Sequence, residues 1–592
     1  MPVGMTWRRK GATRLVAVVA ATLLLACSPE EAETSREVAD AGKSAVKVAS
    51  VDGTGSVFGN YLAGRFAENE ADLAFAANMM ERVLEENPSD KEILRRAFVL
   101  NLGAGNGKRA AELGERLLKL GSTVTSASLL LAGRELKAGK LDAALKRADE
   151  LVDNGLSRFS KPLARAWILT AKKQYDDALK ALEPLAAEKG FAAMHGMHAG
   201  LIEELAGRMD AAEQRYRKLI EDPKEASARI IRVLASALQR NGKKAEAEQV
   251  IRSKLDVNEE SLVLADDLER LKKGQKLERV VSTPTEGMAE GLFNLASALP
   301  RDRAENIVLL YTRIALELEP KFDLAQLLVG DVMISRERFK EAVEAYRKIK
   351  PDSAYGWSAR LRIADSLYEM KKLDDAFALL ETMAGERKDR IDALVNLGNY
   401  MRYKEQFKES VTAYDRAFER LGEPGKSNWS LYYSRGIALE RSGEWDRAEK
   451  DFLQALQYEP EQPYVLNYLG YSWVERGKNL DQAQAMIERA VQQRQNDGYI
   501  VDSMGWVLYR LGKYEDAVKH LERAVQLRPQ DPVINDHLGD AYWRVGRQHE
   551  ARFQWHRALS FKPEDKDKTK IEVKLDKGMG PAEPLGKAGS GG

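Results

Sequence analysis

Apolar residues return every three or four positions through most of this 592-residue chain, the spacing that puts them on one face of an α-helix. Within residues 499–528, Gly512 interrupts the pattern where a helix end needs a residue that tolerates positive φ. A second amphipathic stretch, residues 514–527, continues up to Pro529, and proline cannot continue a helix interior. The pattern therefore predicts two helices joined by a tight turn.

This unit recurs four times between residues 429 and 563, with a period of 34 or 35 residues. Each copy has a glycine in the first helix, a glycine at the turn, two alanines around a bulky residue in the second helix, and usually a closing proline. These positions are Gly436, Gly470, Gly505 and Gly539; Gly443, Gly477, Gly512 and Gly546; Ala448, Ala483, Ala517 and Ala551; Phe452, Ile487, Leu521 and Trp555; Ala455, Ala490, Ala524 and Ala558; and Pro460, Pro529 and Pro563. A fixed period of this length indicates a helical repeat protein.

The four units resemble tetratricopeptide repeats (TPRs), and weaker copies continue upstream, for example Leu397-Gly398 with Tyr414 and Ala417. The resemblance implies an all-α fold, a TPR solenoid of antiparallel helix pairs wound into a superhelix, with about a dozen to fourteen repeats. It also implies that partners bind in the concave groove formed by the first helix of each unit.

The repeats and their flanks divide the chain into seven predicted segments. These are a lipoprotein signal peptide (1–26), a lipidated flexible linker (27–55), degenerate TPR-like repeats (56–270), an irregular connector (271–290), intermediate TPRs (291–428), well-formed TPRs (429–563), and a capping helix followed by a disordered tail (564–592). Within the last segment, the charge pattern predicts a short helix over residues 569–575.

The N-terminus has a cluster of basic residues and then an apolar stretch, residues 15–26, that is too short to cross a bilayer. The stretch ends in Leu24-Leu25-Ala26-Cys27, which resembles the lipobox of bacterial lipoproteins, and Cys27 is the only cysteine of the chain. The resemblance implies acylation of Cys27, and Ser28 after it implies sorting to the outer membrane, facing the periplasm. An ordinary signal peptide or an uncleaved anchor remains the alternative.

Composition and motifs argue against other classes of function. Charges balance to a net +1, whereas nucleic-acid binding usually leaves a basic face. The chain has no phosphate-binding loop and no Gly-x-Ser-x-Gly elbow. His195 and His198, flanked by methionines, would point in different directions on a helix, so we expect no metal site. We therefore expect no catalytic residues, no cofactor and no nucleic-acid partner: the chain is not an enzyme.

Helical spacing selects the residues that face the groove. The predicted partner-binding set is Tyr433, Asn467, Tyr471, Asp502, Trp506, Tyr509, Arg510, Asp536, Asp540, Trp543 and Arg544. Aromatic residues and Arg are enriched at binding hot spots, and Asp and Asn could hold the amides of an extended peptide. Trp506 and Trp543 fit either the groove or the core, whereas Trp473 and Trp555 fall on the core stripe.

Two hypotheses follow for function. The first is a membrane-anchored periplasmic TPR scaffold that binds protein partners, in envelope assembly or secretion. The second is a glycan- or peptidoglycan-binding envelope protein, because stacking aromatics with Asp and Asn also suit sugars. The sequence does not identify the partner, the envelope process or the oligomeric state.

Overall fold

The computed structural model describes residues 56–188, 190–220, 226–256 and 261–581, without the side chains of residues 301 and 302. These residues form 30 α-helices and no strand. None of the helices among them combines the length and apolarity needed to cross a membrane. Cys27, the signal peptide and the linker lie outside the described residues.

The chain divides into two compact units, with the boundary between Ala376 and Phe377. In the N-terminal unit, the consecutive helices α1–α12 and α14–α17 pack as pairs, and successive pairs within each of these two runs stack on one another. The helices are α1 (Val57–Asn69), α2 (Leu73–Glu86), α3 (Lys91–Ala104), α4 (Gly107–Lys119), α5 (Thr125–Lys137), α6 (Leu141–Asp149), α7 (Ser157–Ala171), α8 (Tyr175–Ala186), α9 (Ala192–Leu205), α10 (Met209–Lys218), α11 (Ala228–Arg240), α12 (Lys244–Leu255), α13 (Leu262–Lys272), α14 (Pro284–Ala298), α15 (Arg301–Leu318, kinked at Ala304), α16 (Asp323–Ser335), α17 (Phe339–Tyr346), α18 (Gly356–Glu369) and α19 (Leu373–Glu386), whose residues from Phe377 onward belong to the other unit.

The C-terminal unit continues with five helix pairs and one final helix. They are α20 (Asp392–Tyr403), α21 (Phe407–Arg420), α22 (Trp429–Arg441), α23 (Trp445–Tyr458), α24 (Pro463–Glu475), α25 (Leu480–Gln493), α26 (Gly498–Arg510), α27 (Tyr514–Leu527), α28 (Pro532–Arg544), α29 (Gln548–Ser560) and α30 (Asp565–Lys577). The fold is the predicted all-α TPR solenoid.

Local sequence explains where the helices begin and end. Asp531 accepts hydrogen bonds from the N–H groups of Val533 and Ile534, so it caps α28. Pro532 occupies the first turn, where its missing N–H costs nothing. After the helix, Gly546 adopts φ +82° and turns the chain into α29. The glycines read from the sequence as turn residues therefore perform that role.

The glycines inside the first helices let the two helices of a pair approach closely. A Cβ on Gly505 would lie 2.5 Å from Leu521 Cγ, and one on Gly436 would lie 2.7 Å from the Phe452 ring. Both partner side chains are fully buried, so the repeated glycine and the repeated bulky residue are complementary halves of one contact. Trp473 and Trp555 are buried, as the core stripe predicts.

Two predicted boundaries are wrong. The connector over 271–290 is too long, because α14 begins at Pro284; there Thr283 Oγ1 accepts from the Glu286 N–H and the Glu286 carboxylate accepts from the Ser282 N–H. The C-terminal helix extends from Asp565 to Lys577 and exceeds the predicted residues 569–575. A side-chain cap marks the start of α14, whereas α30 has no side-chain cap and packs on α29.

Candidate binding groove

The first helices of the repeats in the N-terminal unit, α3, α5, α7 and α9, pack against a helix pair from later in the same unit. Helix α14 packs on α5, α7 and α9, while α15 packs on α3, α4 and α5. The groove of these repeats, called here the N-terminal groove, is therefore occupied by the chain itself.

At one end of the N-terminal groove, the fit depends on a glycine of α14. Gly287 lies against the Trp167 indole, and a Cβ there would come within 2.3 Å of ring atoms. The Trp167 Nε1 donates to His198 Nδ1 over 3.2 Å, and the other ring nitrogen of His198 contacts the Asn294 amide of α14 at 3.3 Å. Burial lowers the pKa of His198 to about 4, so this histidine is a neutral hydrogen-bonding residue of the interface.

Charged residues fix the rest of the pair in place. Glu290 of α14 is buried and forms an ion pair with Arg229 of α11, with Nε–Oε1 at 3.0 Å. Glu317 of α15 accepts from Arg134 of α5 at 3.0 Å, and Arg313 of α15 donates to the Gly103 carbonyl at 3.0 Å. A buried charge that loses its partner is costly, so the ion pair of Glu290 holds α14 strongly in place.

The C-terminal unit has a different arrangement. Among its described residues, the substantial helix packing involves only helices close in sequence, and no later helix pair packs on the first helices α20, α22, α24 and α26. The face that these four helices share with α28 is called here the C-terminal groove. Half-buried tyrosines of this face include Tyr433, Tyr464, Tyr471 and Tyr499.

Asn467 lies on the middle helix of the C-terminal groove, one turn before Tyr471. Its Oδ1 is buried and has no hydrogen-bond partner among the described residues. Burial, with the carboxylates of Glu475 and Asp502 nearby, raises the pKa of Tyr471, so its hydroxyl stays protonated and able to donate. A buried polar atom without a partner requires an explanation, and a bound ligand that supplies a donor is one.

Trp506, Tyr509 and Arg510 belong to the groove but are tied to neighbouring side chains. The Trp506 Nε1 and the Arg510 guanidinium both donate to Glu475 Oε1 of α24, each over 2.7 Å. The Trp506 ring stacks on Tyr509 and on His537, with centroids 4.8 and 4.0 Å apart. Trp506 is half-buried, so it is neither a free anchor nor a core residue. Trp506 links its own repeat to the preceding one through Glu475 and to the following one through His537.

Two predicted groove residues are buried inside the protein. Asp502 is 1% exposed and binds His537 Nδ1 at 3.0 Å. Asp540 is 4% exposed and accepts from Trp555 Nε1 at 2.9 Å. The expectation that they offer carboxylates to a ligand is wrong, because the stacking of the next helix covers these positions.

The remaining three predicted residues are covered by the end of the described chain. Lys574 of α30 donates to Asp536 at 2.9 Å and to Asp540 at 2.7 Å. The Trp543 Nε1 donates to the Met579 carbonyl at 3.3 Å, and Arg544 donates to the Gly580 carbonyl at 2.6 Å. The C-terminal groove is thus open over α20–α26 and closed at α28.

Sequence reasoning missed Glu475 and Lys574, which organise this groove. Glu475 lies at the end of α24, four residues after Tyr471, and this spacing could have placed it on the same face. Lys574 pairs with Asp540 and Asp536, which lie 34 and 38 positions away, and no local pattern predicts such a contact. Among the described residues, no cluster of three or more His, Cys, Asp and Glu could hold a metal ion.

Comparison with known sequences identifies the repeats directly. A model of the "Tetratricopeptide repeat" family matches residues 163–226 and 433–498, and a "TPR repeat" model matches residues 505–546. The "TPR repeat-containing protein PA4667" of Pseudomonas aeruginosa is 26% identical over 200 residues, which are 34% of this chain and 33% of that protein. The chain thus spans about a third of the length of this curated relative.

Solved structures of repeat proteins are also similar. Cut9–Hcn1 of the APC/C hetero-tetramer matches with TM-score 0.37 and 15% identity over 88% of this chain and 96% of that one. The TPR protein YrrB, whose structure is described as having an unusual peptide-binding site, matches with TM-score 0.26 and 19% identity over 33% and 97%. A thermophilic TPR protein of Thermus thermophilus, TTC0263, matches with TM-score 0.28 and 20% identity over 32% and 98%. The family models and the helix pairs agree: this chain carries tetratricopeptide repeats.

Proposed function

We propose that this chain is a non-catalytic scaffold that binds an extended segment of a partner protein along its C-terminal groove. The unpaired, buried Oδ1 of Asn467 is the observation that carries the proposal. The main chain of an extended peptide offers N–H donors and carbonyl acceptors at regular intervals. An N–H of such a segment would satisfy the Asn467 oxygen, and the Tyr471 hydroxyl could donate to a carbonyl.

The tyrosines would supply the apolar part of the binding energy. Tyr433, Tyr464 and Tyr471 are half-buried before any ligand binds, so they lose little side-chain freedom on binding. Aromatic residues of this kind dominate binding hot spots because they bury a large area. The groove therefore suits a partner segment with apolar side chains and an accessible backbone.

A matched pair of crosslinking positions tests the groove. A photo-crosslinking residue at position 471 should capture partner proteins in living cells, whereas one at position 453, on the exposed surface of α23, should not capture the same proteins. Capture of the same proteins from both positions would contradict the proposal. Sedimentation with purified peptidoglycan that depends on Asn467 would assign the groove to glycans.

Asn467→Leu separates binding from stability. Because Asn467 Oδ1 has no partner to lose, the substitution should leave the free energy of unfolding unchanged or raise it slightly. Partner capture from position 471 should nevertheless fall, since the leucine cannot accept an N–H. A variant that loses stability in urea melts while capture is unchanged would show that Asn467 is structural.

We further propose that Cys27 carries the lipid that holds this scaffold at the outer membrane, facing the periplasm, where it serves envelope assembly or secretion. The lipobox-like residues Leu24–Cys27 support the anchor, and multiple acyl chains give stable attachment. Cys27→Ser should move the protein from membrane pellets into the soluble periplasmic fraction. A variant that stays in the pellet would disprove the lipid anchor.

A further inference from the structure

Arg402 is a half-buried cation near the end of α20, the first of the helices that line the C-terminal groove. Its Nε is enclosed and has no hydrogen-bond partner in the described part of the chain. Burial disfavours its charge, whereas the nearby hydroxyls of Tyr403 and Tyr414 act in the opposite direction and raise its pKa above the usual value. The guanidinium is therefore charged, with tyrosine oxygens beside it.

Tyrosines form the surroundings of this guanidinium. The Arg402 Cζ lies 4.5 Å from the centroid of the Tyr403 ring. Burial raises the pKa of Tyr433 on α22, and the charge of Arg402 opposes that effect, so the two groups lie close together. Tyr414 donates its hydroxyl proton to Asn399 Oδ1 at 2.7 Å, which leaves its oxygen as an acceptor. These neighbours carry no net charge and leave the charge of Arg402 unbalanced.

The other charged side chains of α20, α22, α24 and α26 all have partners of opposite charge or a histidine. These helices contain four arginines and no lysine. The pairs are Arg435 with Asp451, Arg441 with Glu405, Arg510 with Glu475, Asp392 with Arg390, Glu440 with Arg476, and Asp502 with His537. Arg402 is the exception, since no carboxylate of the described residues forms an ion pair with it. The four helices therefore present one unbalanced charge, and it is positive.

A carboxylate is the chemical group that this position accepts. A guanidinium binds a carboxylate through two parallel N–H···O bonds, and the Nη groups of Arg402, unlike its Nε, are not enclosed. We propose that Arg402 binds an Asp or Glu side chain of the partner segment, so that the C-terminal groove selects acidic segments. The inference rests on the proposed function, since it assigns the charge of the same ligand. The tyrosine rings exclude water from the pair, and the attraction is then stronger than at an exposed site.

Selection from a random peptide library tests this preference. The probe is a library of random dodecapeptides displayed on phage through their C-termini, so that an acidic preference reports a side chain and not a chain end. Purified full-length protein with Cys27→Ser should select peptides that share an Asp or Glu at one position. Arg402→Gln should abolish this preference. Arg416→Gln is the control, because Arg416 of α21 pairs with Glu381, and it should retain the preference. An acidic preference that persists with Arg402→Gln would overturn the proposal.

The affinity of one selected peptide measures the contact itself. Replacing its acidic residue by the corresponding amide should weaken binding about tenfold, as expected for a lost hydrogen bond to a charged group. The same replacement should have no effect on binding to Arg402→Gln, because the partner of the carboxylate is already absent. Equal weakening in the two proteins, measured by fluorescence anisotropy, would overturn the proposal. Urea melts should show equal stability of the two proteins, since Arg402 has no carboxylate to lose.

The library also separates this inference from the proposed function. Peptides that require Asn467 for binding but share no acidic residue would refute the role of Arg402, and the groove function would stand. A library that yields no peptide dependent on Asn467 would instead contradict the proposed function.

Discussion

The two grooves of this protein are built from the same kind of helix pair but have different occupants. The N-terminal groove holds α14 and α15 of its own unit, with Trp167, His198 and Glu290 buried at the contact. The C-terminal groove keeps half-buried tyrosines and the unpaired Oδ1 of Asn467 over α20–α26. The comparison shows that the repeat pattern specifies the helix pairs. Whether a partner can enter a groove depends on which other helices of the chain pack into it.

The largest effect should come from breaking the buried ion pair that holds α14. Arg229→Ala leaves Glu290 buried without its cation, and the loss of such a partner costs about 3 kcal/mol or more. Hydrogen exchange should increase in α14 and α15 and stay unchanged in α22–α26. Arg252→Ala is the control, because its pair with Glu248 is exposed and 3.8 Å long, and should change stability by less than about 0.5 kcal/mol. If the two substitutions lowered the free energy of unfolding equally, the tight packing of α14 in the N-terminal groove would be contradicted.

A smaller effect should follow from filling the space over the indole. Gly287→Ala forces a Cβ against Trp167, and overpacking of this kind costs about 1–3 kcal/mol. The gain in helix propensity, about 1 kcal/mol, offsets only part of it. Gly385→Ala is the control, because no atom lies within 4 Å of its added Cβ, and it should be neutral or stabilising in urea melts. A Gly287→Ala protein as stable as that control would disprove the close contact.

The smallest effect concerns the closed end of the C-terminal groove and depends on pH. Burial and the nearby Asp536 raise the pKa of Asp540 to about 6, against the opposing effect of Lys574. Because the folded pKa exceeds the unfolded one, this group's stability contribution is fully present below about pH 4 and is lost as pH rises through 6.

Unfolding of the C-terminal unit should therefore cost more free energy at pH 5 than at pH 7, by about 1 kcal/mol from this group. Asp540→Asn should remove that part of the slope, whereas Asp446→Asn, at an exposed position, should retain it. Urea melts at the two pH values provide the measurement. An unchanged slope in Asp540→Asn would assign the pH dependence to another group.

Sequence patterns predicted the helix pairs well, because each pair is encoded locally. Gly505 and Leu521 lie in one repeat, and their contact follows from a spacing that recurs four times. The recurring spacing could not predict which helices of the chain pack into each groove. Gly287 lies against Trp167 although several helices separate the two residues in the sequence, and no periodic pattern connects them.

The same reason explains the errors at the predicted groove residues. Helical spacing predicted that Asp502 and Asp540 face the groove, whereas both side chains are buried. Their burial depends on His537, Trp555 and Lys574 in later helices, which local spacing does not reveal. Asn467 and Tyr471 are only half-buried, because no later helix pair among the described residues packs on α24.

The difference between the two grooves can be measured with single cysteines in a Cys27→Ser background. Ser160 of α7 is fully buried and its hydroxyl lies 3.5 Å from the Tyr311 hydroxyl of α15, whereas Tyr433 of α22 is half-buried in the open groove. In the native protein, a maleimide should modify Tyr433→Cys rapidly and Ser160→Cys only after unfolding. Equally fast modification at the two positions would contradict the account that one groove is filled by its own chain and the other is open.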